Sequence, residues 1–328
     1  MSISSGSKKR VIVLRGGAST DYAASLKTGE HVLSLLREKP DTYEPIDVFI
    51  SKDDEWHVGG QRKEPHEAVK HADIAFNALH GHYGENGKVQ RLLSHLHIPF
   101  TGTKSIESAL SRHHAFKKVL GSHDIRTPKH QEVTAEDDAS LLADIFQEYL
   151  FPIVVKSPRT SDARIVRLAY TFDELVLAVG EVLQVSPKAV IEEFVRGKEA
   201  KVAVMEGARG QKLYSFMPIE VATPKKRKQP DYEAKFRSKP EYLFPTSFST
   251  EEHKILEAAA KETHSALGLR HYSHSNLILT PAGNVYVLNI SSLPEFHKNS
   301  LLSESLTAAG WTHIEFLEHL LGLASGTL

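Results

Sequence analysis

The chain of 328 residues contains no cysteine, which excludes both a disulfide framework and a thiolate nucleophile. It carries little charge of one sign. A formal net charge of −1 gives no global field that would draw in nucleic acid or an acidic membrane surface. No apolar run reaches spanning length, and the opening MSISSGSKKR lacks the apolar centre of a signal peptide. These absences point to a soluble, cytoplasmic protein with no membrane and no nucleic-acid partner. Histidine, by contrast, is abundant at 19 residues, more than such a chain needs. The length exceeds one compact core, so two or three domains are expected.

RVIVLRGG reads as a buried parallel strand that ends in a glycine turn. A helix follows through SLKTGEHVLSLLREK, with Val32, Leu35 and Leu36 on one face. DVFIS and ADIAFNALHG read as further strands, and strands alternating with helices predict a parallel α/β domain. SIESALSRHHAFKKVLGSH has the three-and-four spacing of an amphipathic helix. FPIVVKSP and KAVIEEFVRGKEAKVAV supply more strands, and PKKRKQPDYEAKF is a polar basic loop bounded by prolines. After the helix EEHKILEAAAKETHSALGL, HYSHSNLILTPAGNVYVLNI alternates around Pro281, Ala282 and Gly283 as a hairpin. WTHIEFLEHLLGLA closes the chain as a helix.

Lys156 ends an apolar strand, where its ammonium could meet a nucleotide phosphate at a cleft or simply be a strand-end surface charge. Its company decides more than its position. RGGAST, ALHGHYGENGKVQ, IPFTGTKSIESALS, FPIVVKSP, VIEEFVRGKEAKVAV, DYEAKF and the 270–301 hairpin occur in one fixed order. In that order they resemble the D-alanine–D-alanine ligase family from about residue 10 to about residue 325. The resemblance implies an ATP-grasp fold, α/β and α+β in class. An N-terminal α/β domain with a parallel sheet (1–112) precedes two α+β domains (113–196 and 197–328) that enclose the nucleotide. In that family ATP phosphorylates the carboxylate of one D-alanine, and the amine of a second attacks the acyl phosphate. By the same resemblance His80 helps hold the substrate region, and Lys156, Glu192 and Glu199 meet the phosphates, adenine and ribose of ATP. Tyr232 and Lys235 belong to a loop that closes over the phosphates, and Ser300 and Leu301 hold the second substrate's carboxylate.

Other positions depart from the family pattern. Its metal-binding carboxylates and asparagine read Asn276, Asn289 and Ser291 here, which contribute no charge to hold magnesium. The arginine that steadies the developing oxyanion reads His274, and an oxyanion-hole glycine reads Glu295, the one close candidate for a replacement carboxylate. A first-substrate glutamate aligns with Ala23, with Asp21 two residues away, and a nucleotide-contacting lysine aligns with His114. The phosphate loop reads TSDARIV, which sets Asp162 against a phosphate and offers no glycine for close approach.

The expectation from these losses is a ligase-like protein whose activity is lost or severely reduced. Such a protein would bind ATP weakly and have a doubtful magnesium site. Two alternatives remain: an active, divergent ATP-dependent carboxylate–amine ligase serving cell-wall synthesis, and a non-enzymatic interaction scaffold. A nucleotide or a D-alanine-like ligand and a homodimer are the expected partners. His80, His114, His274 and His297 would face one cleft and could form a transition-metal site, or be satisfied separately. PKKRKQP could be a polyanion patch or an exposed loop face.

Overall fold

The computed structural model describes residues 8–105, 115–137, 139–158, 166–223, 225–226, 229–230, 240–243 and 245–328. Lys9–Gly16 (β1) starts the first sheet, and its apolar centre from Val11 to Leu14 is almost completely buried. A parallel neighbour requires a crossover, which Tyr22–Arg37 (α1) provides before Tyr43–Ile50 (β2). The same helix lays Val32, Leu33 and Leu36 into the core. Ile74–Asn77 (β5) pairs in parallel on the other side of β1.

The parallel centre matches the expectation, but the sheet continues into an antiparallel edge of Trp56–Val58 (β3) and Gln61–Lys63 (β4). Gly59 and Gly60 join these two strands with φ of 58° and 77°. A two-residue hairpin of this hand needs both central residues in the left-handed region, which glycine enters without steric cost. The order is β4-β3-β2-β1-β5, and Pro65–Val69 (α2), Gly81–Glu85 (α3) and Lys88–His95 (α4) flank it.

Ala115–Gly121 (α5) is the described part of the helix expected from residue 105 onward. A second sheet combines His130–Thr134 (β6), Ile153–Lys156 (β7), Val166–Ala169 (β8) and Lys188–Glu193 (β9) in the antiparallel order β6-β9-β7-β8. Ala139–Glu148 (α6) and Phe172–Leu183 (α7) accompany it. The side chain of Thr171 caps α7, and Leu175, Ala178, Val179 and Val182 face the sheet.

The third sheet is built on Lys198–Glu206 (β10). Leu213–Ser215 (β11), Ile219–Val221 (β12), Tyr242–Leu243 (β15), Tyr272–Leu279 (β16) and Val285–Ser291 (β17) complete it, with the path β15-β12-β10-β16-β17 and β11 on β10. Within the basic segment read as a loop, Lys225–Lys226 (β13) pairs with Gln229–Pro230 (β14). Tyr232, Lys235, His114 and Asp162 lie outside the described residues. Thr250–Ala266 (α8), expected as a helix, begins with a capping box of Ser249 and Glu252 and packs on this sheet. Leu301–Ala308 (α9) and His313–Ser325 (α10) end the chain. Phe316, Leu317 and Leu320 of α10 share one core with Val11, Val13 and Phe76 of the first sheet. Among the described residues no helix is long and apolar enough to cross a membrane.

Candidate functional site

A cleft of about 1230 Å³ opens between the first and third sheets. Strand register builds its floor. Lys201 on β10 stands opposite Asn276 on β16, Asn276 opposite Asn289 on β17, and His274 opposite Ser291. Residues directly paired, or two apart on a strand, share a face, so all five reach the same cleft. A register shift beside Asn276 accommodates Leu288 as an extra residue in β17, a bulge of the kind that re-aims side chains at sites.

The three positions where the family pattern places metal ligands do not fit a magnesium ion. Asn289 Oδ1 accepts the neighbouring Ile290 N–H at 2.7 Å, and Ser291 Oγ donates to Glu85 Oε1 at 3.0 Å. Magnesium favours hard, charged oxygens, and here the side chains are neutral with two of three oxygens already engaged. The expected replacement carboxylate, Glu295, lines the cleft but lies half-exposed, with His297 Nε2 at 3.0 Å.

A second carboxylate on the cleft, Glu85, went unnoticed in the sequence because GENG reads as a turn. It is 6% exposed. Besides Ser291 Oγ, its Oε1 accepts Ser292 N–H at 3.1 Å and Leu293 N–H at 3.3 Å. One buried oxygen thereby ties α3 to the segment after β17. Glu85→Ala leaves these donors without an acceptor, at about 1–3 kcal/mol for each one that water cannot reach. The expected result is a loss of about 3 kcal/mol in urea unfolding, with faster amide exchange at Ser292 and Leu293. Unchanged exchange there would show that Glu85 does not hold the segment.

His80 is 4% exposed and also lines the cleft. Its Nδ1 lies 2.9 Å from the Leu293 carbonyl and its Nε2 lies 2.8 Å from Thr28 Oγ1. Burial, partly offset by the charge of Glu295, pushes its pKa below the ordinary value. In the neutral ring Nδ1–H donates to Leu293 and Nε2 accepts from the Thr28 hydroxyl. His274 is held down to about 3 by desolvation and then by the Lys201 charge, so a neutral imidazole stands where the family has an arginine. Ser300 is buried as the N-cap of α9, where its Oγ accepts Ser303 N–H at 3.2 Å. Asp21 lines the cleft, whereas Ala23 is exposed and is not part of its wall. Among the described residues no three of His, Asp and Glu are grouped closely enough to hold a metal ion.

The nucleotide residues expected from the sequence form a separate cluster. Lys156 at the end of β7 pairs with Glu192 Oε2 at 2.7 Å. Glu192, 3% exposed on β9, receives a second lysine at Oε1, Lys117 of α5, at 2.5 Å. Lys117 was not singled out in the sequence, where a lysine in HHAFKKVLGS reads as solvated. Desolvation lowers its pKa to about 8 even with Glu192 opposing the shift. Glu199 sits on β10 two residues before Lys201, so it shares that strand face but is not part of the cleft lining.

The family model described as the D-ala D-ala ligase C-terminus matches residues 119–322, and that of the N-terminus matches residues 60–103. The chain is 30% identical over 319 residues to a D-alanine–D-alanine ligase of Desulforudis audaxviator, covering 96% of this chain and 98% of that one. It is 28% identical over 324 residues to that of Geotalea uraniireducens, covering 97% and 96%. The structure of the Bacillus anthracis D-alanine–D-alanine ligase complexed with ATP aligns with a TM-score of 0.79 at 24% identity, covering 97% of this chain and 98% of that one.

Proposed function

The chain belongs to the D-alanine–D-alanine ligase family, and from that premise we propose that it keeps the ATP-grasp cleft while its ligase chemistry is lost or severely reduced. One observation carries this reading. At the three metal positions Asn276, Asn289 and Ser291 are neutral, and Asn289 Oδ1 and Ser291 Oγ are committed to Ile290 N–H and Glu85. Phosphoryl transfer depends on cations fixed around the group in flight, and no step through magnesium can be drawn from these residues. His274, neutral beside Lys201, supplies no positive charge of its own to an oxyanion.

The ligands in this reading are a nucleotide, bound weakly, and a D-alanine-like molecule. The relative from Bacillus anthracis is complexed with ATP, which supports the nucleotide. Lys156 would meet its phosphates and Glu192 its base, though each already has a protein partner that the nucleotide must displace. The division at 1–112, 113–196 and 197–328 follows the three large sheets, each of which falls within one range. A cytoplasmic homodimer joined through the N-terminal domain completes the proposal.

Phosphate release from Mg-ATP with D-alanine tests it. The expected result is no release above that of the Lys156→Ala variant. Release that this variant abolishes, together with dipeptide formation, would overturn the reading. It would instead favour the active divergent ligase, for which the retained pair of Lys156 and Glu192 speaks.

A further inference from the structure

The loss of the metal ligands coincides with the presence of a cation in the same row of side chains. Lys201, Asn276 and Asn289 occupy directly paired positions on three adjacent strands, β10, β16 and β17. Lys201 is flanked in sequence by the fully buried Ala200 and Val202, so this strand turns its lysine toward the cleft and its small apolar residues toward the core. Its ammonium lies 5.4 Å from the centre of the Tyr242 ring, which also lines the cleft. Among the described residues it has no carboxylate partner within ion-pair distance.

We propose that the former metal position is a metal-free oxyanion site, in which Lys201 supplies the fixed positive charge for the phosphate chain of a polyphosphate or nucleotide. The inference rests on the reading of this cleft as an ATP-grasp cleft.

The surrounding chemistry favours an anion and opposes a divalent cation. Asn289 spends its carbonyl oxygen on Ile290 N–H, which leaves its amide N–H groups as the available function. Asn276 offers the same donors beside it. His274, paired across the strands from Ser291, adds a ring N–H to the same cleft wall. Two carboxylates of the cleft wall are engaged elsewhere. Glu85 accepts from the backbone at Ser292 and Leu293, and Glu295 meets His297. A carboxylate retained at position 276 or 289 would pair with Lys201 and cancel it, so the neutral asparagines and the lysine form one consistent set. A divalent ion placed among them would meet a fixed like charge and no charged ligand.

Calorimetric titration of the full chain in EDTA, with inorganic tripolyphosphate and with ATP as separate probes, tests the site. Both are expected to bind, and added magnesium is expected to leave affinity unchanged or weaker. Lys201→Gln should weaken tripolyphosphate binding about tenfold or more, the loss of one charge-assisted contact. Lys201→Arg, which keeps the charge, should stay within about threefold. Binding of ATP alone, with the same affinity in Lys201→Gln, would place the nucleotide elsewhere and overturn the proposal. So would a strict magnesium requirement, or failure of both probes to bind. The phosphate-release assay above fails or succeeds independently. Turnover there would sink the loss of ligase activity while leaving metal-free binding measurable, and absent binding here would leave the loss of activity standing.

Discussion

Lowering the pH from about 7 to about 4.5 is expected to remove several kcal/mol of the protein's stability, much of it above the range in which ordinary carboxylates titrate. His31 and His271 are each held down to about 4, and His274 to about 3, with desolvation the largest cause in all three. Their ordinary value is about 6.5. A histidine whose folded pKa is depressed binds fewer protons in the native state than in the unfolded chain. Its contribution is therefore complete above about pH 6.5 and is lost as the pH falls below that value. Each such group costs about 1.4 kcal/mol per pH unit, so three of them remove up to about 8 kcal/mol by pH 4.5. A domain's whole stability is about 5–15 kcal/mol. The contacts that protonation breaks are specific. His271 Nδ1 accepts Gly102 N–H at 3.0 Å, a bond that a proton on Nδ1 removes, and the nearby Arg270 guanidinium opposes a charge on the ring; His31 lies 2.9 Å from His313. Urea midpoints measured between about pH 7.5 and pH 4.5 give the slope. His31→Gln with His274→Gln should flatten it, and a wild-type midpoint that does not move over this range would refute the account.

The excess of histidine visible in the sequence thus has a physical meaning that the sequence alone did not assign. A shared metal site was one option. Among the described residues, His80 is spent on Thr28 and Leu293, His297 on Glu295, His264 on Ser273 and His319 on the Glu206 carbonyl. These partners lie up to 213 residues away in the chain, as for His80 and Leu293, so no local pattern could have revealed them.

Glu192→Ala is expected to cost about 3–5 kcal/mol, because it leaves a buried lysine charge without its counter-ion. Lys117 is 3% exposed, and Glu192 is its one ion-pair partner among the described residues. Replacing the pair with apolar groups, Lys117→Met with Glu192→Leu, should restore most of that loss, since a buried ion pair gains little over well-packed hydrophobic residues. Lys156 is then left free to reach water, its side chain being 22% exposed already. Amide exchange in β7 and β9 reads the effect directly, because both strands end beside the cluster. A double variant as unstable as Glu192→Ala would mean that the carboxylate does more than neutralise Lys117. The pH response has the opposite flank from that of the histidines. Lys117 titrates near 8 in the folded chain against 10.5 ordinarily, so stability should rise between those values in the wild type and less so in Lys117→Met.

Legibility followed the range of the interactions. VIVL in β1 and the helical face of Val32, Leu35 and Leu36 in α1 could be read because burial on one side, or on both, imposes a period on neighbouring residues. The β3–β4 edge was missed because WHV and QRK carry no alternation, and only Gly59-Gly60 signals the turn. Lys117, Glu85 and Lys201 were missed for another reason. Each is a charged residue whose setting is decided by a partner on a different element, Glu192, Ser292 and Asn276 respectively. The aligned motifs identified which positions had changed, but not what those changes had been matched with.

The shared core of α10 with the first sheet also constrains how this chain can be made. β1 and β5 are complete by residue 77 and α1 already lies over Val11 and Val13, yet the helix that completes the core around Phe76 is His313–Ser325. A ribosome adding about 5–20 residues per second needs roughly ten to fifty seconds to produce what lies between. Throughout that interval the earliest-made strands keep the part of their apolar face around Phe76 open to the crowded cell. The N-terminal part of this protein is therefore first to be synthesised and among the last to be finished.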